Sequence, residues 1–234
     1  MINRVNRKMS QMSCHTKLKM LPSPESYGAE RHTDPLRFYY YPIVGNLYKQ
    51  RIENCLELLD DGSPRSNRRL LEVGFGSGVS FLNAAAMFDE IYGIDSNANC
   101  SKVMSCFSPC NMSLHLVNGN ILKMPYEDCF FDAVLLVSIL EHLQPHELGA
   151  AFSEIYRVLR PNGIVVYGVP VDRPVMTLAF RLLGYNIKKH HFSSEKQVYI
   201  AANNLFEEEE GRFLRAMSGL AGNIYECHCF RKVV

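Results

Sequence analysis

The chain reads as an α/β fold, a mostly parallel sheet with helices on both faces. Two observations predict it. From Arg69 onward, short apolar strands alternate with amphipathic helices, and the strands are apolar throughout, as burial on both faces requires. The turn after the first strand, Gly74-Phe75-Gly76-Ser77-Gly78, is rich in glycine, and ligands of parallel sheets collect beyond the carboxyl ends of the strands.

Each element has its own signal. Ile43, Val44, Leu47, Tyr48, Ile52, Cys55, Leu56 and Leu59 recur at helical spacing and predict a helix over 42–60 at the edge of the main domain. Apolar runs predict strands at 70–73, 90–94, 114–117, 131–137 and 164–169. Helices are expected from Phe81 to Met87, from Ser96 to about Phe107, and over 146–159, where Pro161-Asn162-Gly163 stops the chain. Beyond the fifth strand, Met176 to Tyr185 is apolar and helix-compatible, and Ser194-Glu195-Lys196-Gln197 has the pattern of a capping box. Glu207 to Glu210 reads as a solvated surface run.

Composition bounds the rest. With 234 residues, 47% of them hydrophobic, the chain builds one sizeable core but not two full domains. A formal charge of +1 gives no global basic field, which disfavours a dedicated nucleic-acid binder. Mean hydropathy is −0.10 and no apolar run approaches the ~18 residues of a spanning helix, so integral membrane association is not expected. The eight cysteines show no CxxC pair and no His in ligand register, so they read as reduced packing thiols, with no metal site. Residues 1–34 form an expected flexible arm, basic and free of acidic residues up to Glu25; 35–234 form the domain, with its core at 69–169 and a substrate lid at 171–206. A cytoplasmic location is expected, or a mitochondrial or plastid one if the basic arm is a transit peptide.

The glycine turn introduces chemistry. Glycines there let the backbone turn sharply and approach a ligand closely. A dinucleotide fingerprint G-x-G-x-x-G places its third glycine at position 79, which is Val. Asp95 ends the second strand, where a carboxylate accepts from both ribose hydroxyls; its alternative role is a helix N-cap, which Ser96 is able to fill instead.

At these residues the sequence resembles the class I S-adenosylmethionine (SAM)-dependent methyltransferases, in particular the type 11 small-molecule group. The matching stretches are LLEVGFGSG (70–78), YGID (92–95), GNILKMPYEDCFFDAV (119–134), LEHL (140–143) and EIYRVLRPNGIVVY (154–167), in matching order and spacing. The resemblance implies a Rossmann-like sheet of seven strands, mostly parallel, with an antiparallel last strand at 224–233 preceded by one at 212–217. It also implies roles. Glu72 matches the acidic residue near the methionine amino group. Gly74, Phe75 and Gly76 line the methionine and ribose, with Gly78 in the same turn, and Asp95 holds the ribose hydroxyls beside Ser96. Asn120 accepts from the adenine amino group, Ile121 packs on the adenine face, and Ser138 lies beside the methionine moiety.

Methyl transfer needs positioning and exclusion of water, and a hydroxyl acceptor benefits from a base. His142 is the candidate base; its alternative is to shape the cavity wall. Quinone-biosynthesis O-methyltransferases resemble this motif but carry a metal-binding Glu where this chain has Ser138. Glu141, His190, His191 and Tyr41 are candidate acceptor contacts. The strand-four [DN]-P-P-[YF] motif of amino methylation is missing, which leaves O- or C-methylation of a small-molecule acceptor. Two rival readings stand beside it: a SAM-binding protein without catalysis, and a nicotinamide-dependent oxidoreductase.

Overall fold

In the computed structural model, which describes residues 16–27, 35–42, 44–60, 62, 66–171, 191–215 and 222–233, seven strands form one sheet. They are β1 (Arg69–Val73), β2 (Glu90–Asp95), β3 (Ser113–Asn118), β4 (Phe131–Val137), β5 (Leu159–Pro170), β6 (Glu207–Arg215) and β7 (Asn223–Arg231). The order is β3-β2-β1-β4-β5-β7-β6, and only β7 is reversed. The order turns back between β1 and β4, so a crevice opens at their carboxyl ends, where such sheets bind ligands.

Helices cover both faces: α1 (Val44–Leu59), α2 (Phe81–Ala84) and α3 (Cys100–Phe107) on one, α4 (Leu148–Val158) and α5 (Glu195–Asn203) on the other. The period of two in a strand sorts the side chains. Leu70 joins the α1–α3 core while Leu71 and Val73 join the α4–α5 core. On β7, Tyr225, Cys227 and Cys229 face the α1 side and Phe230 the other.

Four expectations change. The segment 16–27, read as part of a flexible arm, is packed down: Leu18 and Tyr27 are buried, and the amides of Thr16, Leu18 and Lys19 donate to Glu57, Glu53 and Asn83. Local composition showed the basic charge, not these distant carboxylates and amide. The described part of the expected lid is not a lid at 195–203, because Val198 and Ala202 of α5 are fully buried in the α4–α5 core. Its Ser194/Gln197 capping box forms as the sequence suggests. The strand expected at 212–217 is edge strand β6 from Glu207, so the acidic run 207–210, exposed as expected, is its start, where Glu208 bonds His228 and Glu209 pairs with Arg231. Charges on an edge discourage pairing with another chain. Finally, α3 begins four residues later than expected, because Asn99 caps it by accepting from the Lys102 amide.

Candidate active site

The crevice is lined first by the turn after β1. Gly74 and Gly76 both adopt positive φ, +71° and +51°, and a Cβ at Gly74 would lie 2.0 Å from Ile139 Cδ1 of the segment after β4. That close approach brings the two strand ends together. Gly78 faces the other way: its amide donates to Phe75 O, and a Cβ there would meet the Phe81 ring. Phe75 likewise sends its ring into the core, 5.9 Å from Phe81. These two expected cofactor contacts therefore act through backbone and packing.

Asp95 organises the turn. One carboxylate oxygen accepts from the Gly76 amide at 2.9 Å, the other from the Asn97 and Ala98 amides at 2.8 and 2.9 Å. It is not left free by a Ser96 cap, since Asn99 is the cap and the exposed Ser96 only accepts from the Asn97 side chain. A carboxylate has about four lone-pair sites, so Asp95 keeps acceptor capacity beyond these three amides. Asn118 donates to the carbonyls of Asp95 and Ala98, bracing the same corner from β3.

The loop 119–130 lies on the far side of β2. Ile121 is buried against it, whereas Asn120 is exposed and turns its side-chain oxygen onto the Leu122 amide. That oxygen keeps one lone pair for a ligand donor. Glu154 and Arg157 of α4 hold the loop: Arg157 donates to the carbonyls of Met124 and Tyr126 and pairs with Asp128, while Glu154 accepts from the Met124 amide. Their mutual hydrogen bond drives the Arg157 pKa up and that of Glu154 down, so both stay charged across the physiological range.

Glu72 is buried under α1 with the Ser80 hydroxyl donating to it. Burial pushes its carboxyl up to about 8, the Ser80 bond pulls it down, and the negative charge of Asp95 adds to the rise. A buried acid poised this way ionises when a cation arrives.

The complementary charge was missed by sequence reasoning. Arg51 of α1 lies 4.1 Å from the Tyr48 ring centroid and 5.3 Å from that of Tyr225, with Nη1 3.5 Å from Ser138 Oγ. Its Nε has no hydrogen-bond partner, and it makes no ion pair among the described residues. Burial alone would lower its pKa; Tyr39, Tyr225 and Tyr48, with a hydrogen bond to Tyr39, raise it on balance. The signal available in the sequence was Arg51 interrupting the apolar stripe of the first helix between Tyr48 and Ile52. Ser138, with φ +57°, completes the group by sharing a 2.9 Å hydrogen bond with the Tyr225 hydroxyl.

Beyond Ser138, the described acceptor candidates come together in part. The Glu141 carbonyl accepts from the amides of Phe192 and Ser193, and the Ser193 hydroxyl donates to Leu143 O. This splice sets the His142 and His191 rings edge to face, 5.5 Å apart. His142 is exposed and the Glu141 side chain buried. His190 lies outside the described residues, as does 172–189 of the expected lid. Of the three consecutive tyrosines, Tyr41 points to solvent beside Phe38, while Tyr39 is buried at Tyr48 and Arg51. The tyrosine of this cluster at the site is thus Tyr39 rather than Tyr41. Among the described residues no His/Cys/Asp/Glu group has the makings of a metal site, and no helix is long and apolar enough to cross a membrane.

The residues fit an ionic, nucleoside-bearing ligand: a half-buried arginine with no ion pair among the described residues, a buried acid and a carboxylate able to accept hydrogen bonds stand near the carboxyl ends of β1, β2 and β4. The strand order β3-β2-β1-β4-β5-β7-β6, with only β7 reversed, is that of a Rossmann-like methyltransferase sheet. The chain's core, residues 71–167, matches the family model described as “Methyltransferase domain”.

Among curated relatives, phthiotriol/phenolphthiotriol dimycocerosates methyltransferase 1 of Mycobacterium ulcerans is 36% identical over 105 residues, 44% of this chain and 37% of that one. Demethylmenaquinone methyltransferase of Staphylococcus aureus is 29% identical over 135 residues, 54% of this chain and 55% of that one. The match spans about half or less of these relatives. Among solved structures, N-methyltransferase NodS of Bradyrhizobium japonicum, in complex with S-adenosyl-L-homocysteine, shares the fold at TM-score 0.66 and 17% identity, covering 89% of this chain and 96% of that one.

Proposed function

We propose that the protein transfers the methyl group of S-adenosylmethionine to a small-molecule acceptor, at a hydroxyl oxygen. The observation that carries the reading is the placement of a cation, Arg51, and a buried acid, Glu72, on the α1–α3 face of the sheet. Arg51 has no anion of its own and Glu72 no cation, and an amino-acid end supplies one of each. A ligand carboxylate gives Arg51 the anion it lacks and an ammonium favours the ionised form of Glu72, so a ligand carrying both gains affinity from each. In this reading Arg51, steadied by Tyr39, Tyr48 and Tyr225, holds the methionine carboxylate, and Glu72 holds the ammonium. Asp95 accepts from the ribose hydroxyls, and Ile121 and Asn120 meet the adenine.

When bound, S-adenosylmethionine supplies an electrophilic methyl carbon on sulfur. The chain's part is then to align the acceptor, keep water out and take up a proton. His142 stands four residues past Ser138, beside His191 and at the opening of the crevice, and in this reading it accepts the acceptor's hydroxyl proton through a ring nitrogen. The relatives whose names specify demethylmenaquinone and phthiotriol support an apolar acceptor bearing a hydroxyl or an activated ring carbon. The test is methyl transfer from labelled S-adenosylmethionine to a panel of phenolic, quinol-like and aliphatic alcohol acceptors. Label in the oxygen of a product supports the reading, whereas label only on carbon, or on none of the panel, overturns it.

A further inference from the structure

One pair of nucleophilic side chains lies outside the roles given so far. Cys55 of α1 and Cys227 of β7 are 172 residues apart in sequence, yet their sulfurs are 3.5 Å apart, and neither is exposed to solvent. The pocket that holds them is built rather than incidental. Gly168 of β5 makes the room, since a Cβ there would lie 2.9 Å from Cys55 Sγ and 2.7 Å from the Tyr225 hydroxyl. Cys55 is one turn beyond Arg51, and Cys227 Sγ itself lies 3.8 Å from the Arg51 carbonyl. The sulfur pair is therefore one of the contacts that join the helix carrying Arg51 to the strand carrying Tyr225.

We propose that Cys55 and Cys227 are an oxidation site that a peroxide converts to a disulfide, fastening α1 to β7. In the closed structure the hydrogen bond to Cys227, together with burial, raises the Cys55 pKa, so the pair is inert. Reaction begins when α1 lifts. One thiolate then attacks the peroxide oxygen, giving a sulfenic acid and water. When α1 settles back, the partner sulfur displaces the second water. Two thiols and one hydrogen peroxide thus become one S–S bond and two waters, with the sulfurs oxidised and the peroxide reduced. Sulfurs already in contact need a shift of about 1.5 Å to reach bonding distance. This oxidation chemistry stands on the sulfur geometry alone; the consequence for ligand exchange rests on the proposed cofactor site.

The experiment treats the full-length protein with hydrogen peroxide, blocks remaining thiols and maps peptides without reduction. The expected result is a linked Cys55–Cys227 peptide, lighter by two hydrogens, that dithiothreitol separates, with a raised thermal midpoint in the linked form. The Cys227→Ser variant should instead accumulate a sulfenic acid on Cys55 that a dimedone probe labels. Linkage of other cysteines with Cys55 and Cys227 still free would overturn the proposal, as would equal dimedone labelling of Cys55 in wild type and variant. A second readout is S-adenosylhomocysteine, which should slow the linkage by holding α1 down. Linkage indifferent to that ligand overturns the cofactor reading of Arg51 and leaves the disulfide standing.

Discussion

The two sides of the crevice are built in opposite ways. On the β1–β2–β3 side each functional group follows its strand by a few residues, and its partners are backbone amides nearby: Asp95 is fixed by Gly76, Asn97 and Ala98. On the α1–β4–β7 side the groups arrive from three distant parts of the chain. Arg51, Ser138 and Tyr225 meet across 87 residues at each step, and Glu141 is joined to 192–193 by backbone bonds. The first side suits a ligand that never varies, because its acceptors are set by the fold. The second places Arg51 with no ion pair among the described residues and leaves the acceptor end to elements that are free to diverge.

Substitutions on the two sides should therefore behave differently. The largest effect is expected at His142, where His142→Gln should slow transfer to a hydroxyl acceptor by about 10²–10⁴-fold while S-adenosylhomocysteine affinity stays unchanged. A pH–rate profile identical in wild type and variant would remove His142 from proton transfer. Next, Asp95→Ala removes charged hydrogen bonds worth roughly 1.5–3 kcal/mol, on the order of 10- to 150-fold in affinity. S-adenosylhomocysteine and methylthioadenosine, which lacks the amino-acid end, should weaken alike in calorimetry.

Arg51→Met separates the two sides. It should weaken S-adenosylhomocysteine by roughly tenfold, about 1.5 kcal/mol, leave methylthioadenosine untouched, and raise the melting temperature of the ligand-free protein by removing a half-buried charge that has no ion pair among the described residues. A fall in melting temperature with both ligands weakened alike would make Arg51 a structural residue.

A fourth effect is a pH dependence. Glu72 keeps its proton to about pH 8 when folded, against 4.5 ordinarily, so unfolding releases a proton between these values. Stability of the empty protein should fall as pH rises through that window and level off above it, and Glu72→Gln should flatten the curve. Binding of an ammonium favours the ionised form, so ligand affinity should rise from pH 6 to 8 in wild type and not in the variant. Chemical denaturation across pH reads the first, and calorimetry in two buffers the second.

This contrast also explains what the sequence revealed. The strands, their parallel order and the position of Gly74, Gly76 and Asp95 at the strand ends were legible because local pattern and short motifs specify them. Arg51 was not, since its meaning depends on Tyr39, Tyr48 and Tyr225 converging on it through tertiary packing. Phe75 and Gly78 were read as ligand contacts because a motif gives positions, while the direction of a side chain depends on the turn's φ values. The packing of 16–27 escaped for the same reason as Arg51: its amides are satisfied by Glu53, Glu57 and Asn83, far along the chain.

The central claim is that one crevice holds a zwitterionic nucleoside through both of its sides. Calorimetric titration of the purified protein with S-adenosylhomocysteine, methylthioadenosine and NADH at pH 7 tests it most directly. The account predicts micromolar S-adenosylhomocysteine, weaker methylthioadenosine, a proton released to buffer only with the former, and no NADH binding. Equal affinity for the two nucleosides, or binding of NADH alone, would contradict it.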